Sequence, residues 1–200
     1  MSGVRFTGAP DHEKSTLRRF FLQKRKILLE KNPEKKRSLD LEIQSRLLMS
    51  EEYRSASLVL CYVSRDFEID TLGVILAALS NGKRVAAPKC EDDGSMRFYP
   101  ISSLSDLKTG SFGIKEPKEG IRPLEDLSGS ICICPALCCD MRGYRVGFGK
   151  GYYDRFLKTY EGSTLSLCYS DALIPAINAD AYDIPVHIVV TDEFIRRNQQ

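Results

Sequence analysis

The sequence predicts an α/β fold: one domain with three α/β/α layers, a mostly parallel sheet with antiparallel additions, and two N-terminal helices. Largely apolar runs of strand length recur along the chain, at 57–63, 84–88, 130–135, 164–169 and 187–191. Such runs are typical of strands buried on both faces, as in parallel sheets. A hydrophobic content of 42% over 200 residues is enough for one good-sized core. We expect residues 1–200 to form a single domain, with 1–11 as a flexible N-terminal segment.

Two helices are predicted ahead of the first strand. From His12 to about Glu30 the apolar residues follow a helical spacing that indicates one buried stripe, formed by Leu17, Phe20, Phe21, Ile27, Leu28 and Leu29. Asn32 and Pro33 are typical of an N-cap followed by a first-turn proline. They predict a second helix that continues to about Met49.

The first strand, at 57–63, begins a βαβ unit. Thr71 is predicted to cap a helix that reaches about Leu79 and is stopped by Asn81 and Gly82. The strand at 84–88 follows this helix.

The next segments are less regular. Residues 96–101 are predicted to form an antiparallel strand, because the Asp-Asp-Gly sequence at 92–94 makes a tight turn before them. Residues 103–126 are rich in Gly, Pro and charge, and we expect a loop with short helical turns.

Charge and hydropathy narrow the function classes. The net charge is only +2, and the Lys/Arg-rich segment 24–37 is interrupted by glutamates, so a nucleic-acid partner is not favoured. No apolar run approaches a membrane span, and residues 1–14 lack the apolar core of an export signal. We therefore expect a soluble, cytoplasmic protein without membrane association.

The seven cysteines are expected to be reduced. Four of them lie in apolar segments, where thiols pack as small hydrophobes: Cys61, Cys132, Cys134 and Cys168. A metal cluster at Cys132, Cys134, Cys138 and Cys139 is an alternative. The segment lacks the paired Cys-x2-Cys knuckles of zinc sites, and its alternation favours a strand.

The segment 143–154, GYRVGFGKGYYD, carries the strongest functional signal. Glycines let backbone N–H groups approach an anion, and Arg145 and Lys150 add positive charge, while Asp154 is suited to a divalent cation. These features indicate a nucleoside triphosphate site at the carboxyl end of the strand at 130–135. A helix is expected from Asp154 through Phe156, Leu157 and Tyr160.

This segment fits none of three common phosphate loops. A Walker loop would need glycine at Tyr144 and a hydroxyl at Gly151, whereas dinucleotide and kinase loops would need glycine at Tyr152. A glycine-rich turn before an amphipathic helix remains the alternative.

Several motifs resemble those of the 5-formyltetrahydrofolate cyclo-ligase family, also called methenyltetrahydrofolate synthetases. PALCCD at 135–140 and RGYRVGFGKGYYDRFL at 142–157 carry the resemblance. KSTLR at 14–18, FEIDT at 67–71, GIKEP at 113–117 and DIPV at 183–186 follow the same order, so the similarity spans 14–192. It implies cyclisation of 5-formyltetrahydrofolate to 5,10-methenyltetrahydrofolate with Mg²⁺ and ATP. The products would be ADP and phosphate, formed through a phosphorylated formyl (iminium phosphate) intermediate.

The resemblance also implies site residues. The ATP contacts would be Lys14, Arg18, Arg145, Val146, Gly147, Phe148, Gly149, Lys150, Gly151, Tyr152 and Tyr153, with Arg145 and Lys150 as catalytic residues. The folate contacts would be Val63, Glu68, Phe148, Gly149, Lys150, Gly151 and Tyr152. Asp154 and Asp183 would hold Mg²⁺. From the residues alone, Lys14 and Arg18 could form an exposed basic face, Asp154 could be a helix-start carboxylate, and Glu68 an ordinary loop carboxylate.

Two positions depart from the family. Cys139 replaces the usual phenylalanine, and His187 replaces a common aspartate, a change that could alter metal affinity. Two other functions stay open: a non-catalytic protein of the same fold that binds folate or nucleotide, and an isomerase or acyl-transfer enzyme. The latter needs a carboxylate base or nucleophile that is not evident. We expect small-molecule partners and a monomer, with surface lysines able to accommodate a polyglutamate tail.

Overall fold

The computed structural model describes residues 13–91, 93–110 and 113–198. His12, Asp92 and the expected flexible segment 1–11 lie outside them. Within the described residues the chain forms five α-helices: α1 (Lys14–Lys31), α2 (Pro33–Met49), α3 (Glu51–Ser55), α4 (Leu72–Ser80) and α5 (Tyr152–Leu157).

A seven-stranded sheet forms the centre of the molecule, in the order β12-β11-β9-β6-β1-β2-β3. Its parallel strands are β1 (Leu58–Cys61), β2 (Arg84–Cys90), β6 (Ser130–Cys134), β9 (Ser163–Leu167) and β11 (Ile188–Val190). The edge strands β3 (Met96–Ile101) and β12 (Ile195–Arg197) run antiparallel to their neighbours. The predicted α/β class is confirmed, and β1 and β6 are buried along their whole length.

Two smaller sheets were not predicted. β4 (Leu107–Thr109) pairs with β5 (Lys115–Pro117), so the expected loop 103–126 contains a hairpin besides a 3-10 helix at Leu104–Asp106. β7 (Cys138–Asp140) lies between β8 (Arg145–Val146) and β10 (Leu173–Ile174). The β7–β8 hairpin lies between β6 and the glycine loop. The loop therefore connects β8 to α5, whereas the sequence predicted that it follows the strand at 130–135.

The first two helices bury more polar groups than their sequences predict. α1 buries Leu17, Phe21 and Arg25, one helical turn apart, whereas Phe20 is 40% exposed and does not join the expected stripe. Asn32 caps α2 as predicted, because its side chain accepts from the Lys35 backbone N–H at 3.1 Å.

The start of α4 corrects one expectation. Thr71 occupies the N-cap position but makes no capping bond, since its hydroxyl donates to the Tyr62 carbonyl at 2.7 Å. Asp70 instead accepts from the Leu72 N–H at 2.9 Å. At the other end of the chain, α5 begins before Asp154 and ends at Leu157, so Tyr160 lies outside the helix. Its hydroxyl bonds with the Ser130 hydroxyl at 2.7 Å.

The cysteines of the apolar segments are buried free thiols, as predicted for Cys61, Cys132, Cys134 and Cys168. The Cys132–Cys134 segment is a strand, which the alternation favoured. None of the described helices is both long and apolar enough to cross a membrane. The cytoplasmic location and the monomeric state stay predictions.

Candidate active site

The glycine loop, residues 147–151, lies where β6 ends. A Cβ placed on Gly147 would lie 3.9 Å from the carbonyl oxygen of Pro135, the residue that follows β6. The backbone N–H groups of Phe148, Gly149 and Lys150 donate no hydrogen bond to any described residue. Three consecutive N–H donors without an acceptor in the described part of the chain are available to an anion.

Arg18 joins this loop from α1. Its Nε donates to the Gly147 carbonyl oxygen at 2.8 Å. Gly149 has φ of 89°, and a Cβ there would lie 3.1 Å from the Arg18 guanidinium carbon. The loop backbone and the guanidinium are therefore in close contact, and Arg18 is not part of an exposed basic face.

Arg145 links the loop to the C-terminal part of the chain. Its side chain is buried and donates to the Ile184 carbonyl oxygen at 2.6 Å and to Asp154 Oδ1 at 2.9 Å. Asp154 Oδ1 also accepts from the Ile184 N–H at 3.4 Å. Asp154 thus lies beside the residue that follows Asp183, which brings the two predicted metal ligands to the same region.

Asp183 pairs with the first residue of α1. Lys14 Nζ lies 2.7 Å from Asp183 Oδ2 and 2.5 Å from Asp180 Oδ2. Partial burial opposes the lysine charge, but the hydrogen bonds to Asp180 and Asp183 outweigh it and raise the pKa of Lys14 above its ordinary value. Lys14 is 26% exposed in its side chain, so it too faces the site rather than bulk solvent.

The donor set fits Mg²⁺ only together with phosphate. Within the described residues no group of three or more His, Cys, Asp or Glu side chains is arranged to hold a metal. Mg²⁺ is usually bound by one or two carboxylates plus substrate phosphates and water. Asp154 and Asp183, both partly exposed and both oxygen ligands, meet that requirement.

Lys150 and the tyrosines differ in what they offer a ligand. The Lys150 side chain is exposed and has no ion pair or hydrogen bond within the described part of the chain. Arg155 donates to the Lys150 carbonyl oxygen at 3.0 Å and lies 4.9 Å from the Tyr152 ring centre. The Tyr153 hydroxyl is buried and has no hydrogen-bond partner among the residues that the structure describes, and burial raises its pKa well above the ordinary value. Tyr153 therefore has only its backbone to offer a phosphate.

Glu68 and Val63 lie on the segment between β1 and α4. Both are 5% exposed. Glu68 Oε2 accepts from the Arg65 N–H at 2.8 Å and from Arg65 Nε at 3.3 Å, whereas Oε1 has no partner among the described residues. Glu68 is thus a fixed carboxylate with one free oxygen, unlike an ordinary loop carboxylate.

Aromatic rings connect this segment to the glycine loop. The rings of Phe67 and Phe148 pack edge to face, with centres 6.1 Å apart. The Arg65 guanidinium lies 4.5 Å from the first ring centre and 4.3 Å from the second. Two predicted folate contacts, Glu68 and Phe148, are therefore joined through Arg65, which the sequence did not single out.

A buried polar face of α2 supports the Glu68 segment, and the sequence did not reveal it. Asp40 accepts from Lys36 at 2.7 Å, from the Tyr169 hydroxyl at 2.6 Å and from the Asp70 N–H at 3.3 Å. Gln44 donates to the Asp70 carbonyl and carboxylate oxygens, both at 2.9 Å. Polar residues recurring every four positions on one face were the available signal.

Arg25 is a second residue that the sequence did not single out. It is 4% exposed, and its Nη2 donates to the Ala136 carbonyl oxygen at 2.6 Å and the Leu137 carbonyl oxygen at 3.2 Å. Its guanidinium carbon lies 5.3 Å from the Tyr169 ring centre. Arg25 thereby fixes the link between β6 and the hairpin that carries the glycine loop.

Within the described residues, the side chains at the two departures from the family pattern form no hydrogen bond with Asp154 or Asp183, the predicted metal ligands. His187 Nδ1 accepts from the Thr164 N–H at 3.0 Å, which ties the ring to β9 rather than to Asp183. Cys139 is fully buried in β7, and a hydrogen bond with Cys168 together with burial raises its pKa well above the ordinary value. It fills a core position as an unreactive thiol.

Comparisons with known proteins match the chain to one enzyme family. Residues 10–192 match the 5-formyltetrahydrofolate cyclo-ligase family. The chain is 29% identical over 175 residues to the 5-formyltetrahydrofolate cyclo-ligase of Escherichia coli (strain K12), across 84% of this chain and 94% of that protein. It resembles the NMR structure of Aquifex aeolicus 5,10-methenyltetrahydrofolate synthetase with a TM-score of 0.81 and 33% identity, over 94% of this chain and 93% of the other.

A second solved structure shares the fold. The 5,10-methenyltetrahydrofolate synthetase of Mycoplasma pneumoniae gives a TM-score of 0.70 at 22% identity, over 90% of this chain and 98% of that one. The family match at residues 10–192 covers most of the chain and includes every described helix and all the strands before β12. The chain therefore belongs to the 5-formyltetrahydrofolate cyclo-ligase family of enzymes.

Proposed function

We propose that this enzyme uses Mg²⁺ and ATP to convert 5-formyltetrahydrofolate to 5,10-methenyltetrahydrofolate, releasing ADP and phosphate. The observation that carries the proposal is the row of N–H donors at 148–150, which have no acceptor among the described residues, together with Arg18 on the same loop and Lys14 one helical turn before it. Free donors and cations together favour a multiply charged phosphate.

The chemistry needs charge neutralisation more than a nucleophile. A formamide oxygen is a poor leaving group, so it first accepts the γ-phosphoryl group of ATP, and ADP departs. The N10 amine of the folate then attacks the activated formyl carbon and loses its proton to water, and the C–O bond breaks as phosphate leaves. Phosphoryl transfer of this kind depends on positioning and on cations around the transferred group.

The cations divide into two roles. Lys14, Arg18 and Lys150 have side chains available to phosphate oxygens, and Lys150, which is unpaired, is the one we assign to the transferred group. Both terminal nitrogens of Arg145 are engaged, by Asp154 and by the Ile184 carbonyl. We therefore assign Arg145 to positioning Asp154 rather than to contact with the phosphate.

Asp154 and Asp183 would hold the Mg²⁺ that accompanies ATP. The ion would neutralise phosphate charge when bound. Lys14 forms an ion pair with Asp183. When MgATP binds, the metal ion would replace Lys14 as the positive partner of Asp183, and a phosphate oxygen would replace Asp183 as the negative partner of Lys14.

On the folate side, Glu68 and Phe148 are proposed to receive the pterin. The free Oε1 of Glu68 can accept from a ring N–H, and the fixed carboxylate loses little conformational entropy on binding. Phe148, between two glycines of the loop, would border both the pterin and the phosphates. Val63 supplies an apolar wall beside Glu68.

One assay tests the proposal. The protein is mixed with 5-formyltetrahydrofolate, ATP and Mg²⁺, and methenyltetrahydrofolate absorbance is followed alongside ADP. Equal amounts of the two products are expected, and both should fail to form with EDTA. Folate binding without either product would point to the non-catalytic alternative. Product formation that survives EDTA would remove Mg²⁺ from the scheme.

A further inference from the structure

Arg65 occupies the surface that we assign to the pterin. Its guanidinium lies over Phe67 and Phe148 at stacking distance, 4.5 and 4.3 Å from the ring centres, and its Nε points to Glu68 Oε2 at 3.3 Å. A planar group that carries N–H donors is thus already stacked on Phe148 and facing Glu68. A pterin ring would present the same two features to the same two residues.

The side chain of Arg65 is not what holds Glu68 in place. The backbone N–H of Arg65 donates to Glu68 Oε2 at 2.8 Å, shorter than the 3.3 Å bond from Nε. Removing the guanidinium would therefore leave the carboxylate anchored. The same change would uncover the face of the Phe148 ring that the guanidinium now covers, and would free Glu68 Oε2 of the bond from Nε.

We propose that Arg65 is a specificity-determining residue whose guanidinium competes with the pterin for Glu68 and Phe148. The inference rests on the proposed folate site. A ligand that pairs with both Glu68 oxygens and stacks on Phe148 has to displace the guanidinium. A ligand that offers only an aromatic face, or only an N–H donor, gains less from that displacement and binds less well.

The competition has a measurable size. The attraction between a partly exposed guanidinium and aromatic rings, which a ligand has to overcome, corresponds to a factor of about three to ten in the Kd of that ligand. Arg65→Ala is therefore expected to tighten binding of 5-formyltetrahydrofolate by about three- to tenfold. Its ATP affinity should stay unchanged. Arg65→Lys keeps the charge but loses the planar stack, so its affinity should lie between the two.

The experiment measures the Kd of 5-formyltetrahydrofolate by titration calorimetry without ATP, for the intact chain and both variants. Arg197→Ala is the matched control, because Arg197 forms an ion pair with Glu52 at 2.7 Å in another part of the surface. Its folate affinity should equal that of the unchanged protein. Thermal unfolding of each variant confirms that the protein remains folded.

Two fragments of the folate, a free pterin and p-aminobenzoylglutamate, distinguish competition by Arg65 from a role in which Arg65 binds the ligand. If Arg65 is a competitor, Arg65→Ala tightens a free pterin and leaves p-aminobenzoylglutamate unchanged. If Arg65 instead anchors a ligand carboxylate, Arg65→Ala weakens p-aminobenzoylglutamate and 5-formyltetrahydrofolate, which overturns the inference. Unchanged affinities overturn it as well.

Glu68→Gln distinguishes failure of the inference from failure of the proposed site. If Glu68→Gln weakens 5-formyltetrahydrofolate while Arg65→Ala does not tighten it, the site holds and the competition is wrong. If Glu68→Gln leaves folate affinity unchanged, Glu68 is not a folate residue and the site itself has been misplaced.

Discussion

Lys14 and Asp183, 169 positions apart in the chain, are each other's partner at 2.7 Å. One is proposed to bind ATP phosphates and the other the metal. Their opposite charges compensate each other in a partly buried place. MgATP supplies one ion of each sign and can replace both partners at once.

Lys14→Ala is expected to lower kcat/KM for ATP by about 10- to 100-fold, the loss of one charge-assisted hydrogen bond. Steady-state kinetics with varied ATP measures it. Lys24→Ala is the control, since Lys24 lies on the same helix and pairs with Asp171 at 2.9 Å. Equal effects of the two changes would show that Lys14 contributes general charge only.

The pKa of Lys14 predicts a pH dependence with a definite sign. Because that pKa is raised in the folded protein, the ion pairs with Asp180 and Asp183 contribute fully below the ordinary lysine pKa. The contribution is lost as pH rises through the folded value. Comparing urea unfolding of the intact chain and Lys14→Ala, the stability difference should be constant from pH 7 to 9 and shrink above about pH 10.5. A difference that grows with pH would contradict this.

Lys150→Ala is expected to reduce kcat by about 100-fold, with the KM values little changed, because its charge is used in the transition state. Its side chain has no described partner, so thermal unfolding should not shift. Lys158→Ala is the control: Lys158 follows α5 and lies over the Tyr182 ring. An unchanged kcat in Lys150→Ala would exclude the assigned role.

Gly149→Ala tests the contact between the loop and Arg18. The new Cβ would lie 3.1 Å from the guanidinium carbon at a positive φ, so both stability and ATP affinity should fall. Gly82→Ala is matched, with φ of 70° and no atom within 4 Å of the new Cβ. Each change should cost about 1–3 kcal/mol of unfolding free energy, but only Gly149→Ala should weaken ATP. Calorimetric ATP titration of both variants decides.

Asp40→Asn tests the support beneath the Glu68 segment. It leaves Lys36 buried without its carboxylate, and a loss of about 3–5 kcal/mol in unfolding free energy is expected. Loosening of Asp70 should also raise KM for folate more than KM for ATP. Tyr169→Phe removes only one hydrogen bond to Asp40 and should cost about 1 kcal/mol. If the two variants lost the same unfolding free energy, the ion pair between Lys36 and Asp40 would contribute no more than a single hydrogen bond.

The sequence predicts those parts of the fold that depend on local pattern. The apolar runs of β1 and β6 admit only a buried strand, and Asn32 before Pro33 marks a helix start by a bond within three residues. The β7–β8 hairpin escaped prediction because its two strands are only three and two residues long. Such strands carry too few residues for a periodic signal.

The sequence predicts the site residues that belong to a motif. It does not predict residues whose hydrogen-bond partners are distant along the chain. The resemblance implied ATP contacts for Lys14 and Arg18, whereas the residues alone could form an exposed basic face. Neither pattern named their partners in the structure, Asp183 and Gly147. Arg25 and Asp40 have polar side chains that periodicity assigns to the surface, yet both are buried and form hydrogen bonds with remote segments. No local pattern encodes those partners.

The span between Lys14 and Asp183 bears on how the enzyme acquires activity during synthesis. The first helix leaves the ribosome long before its carboxylate partner exists, so the residues that we propose to bind phosphate and metal cannot meet until nearly the whole chain is available. Turnover should therefore appear only with completion of the fold. In a refolding experiment, catalysis would report the last structural event rather than an early one.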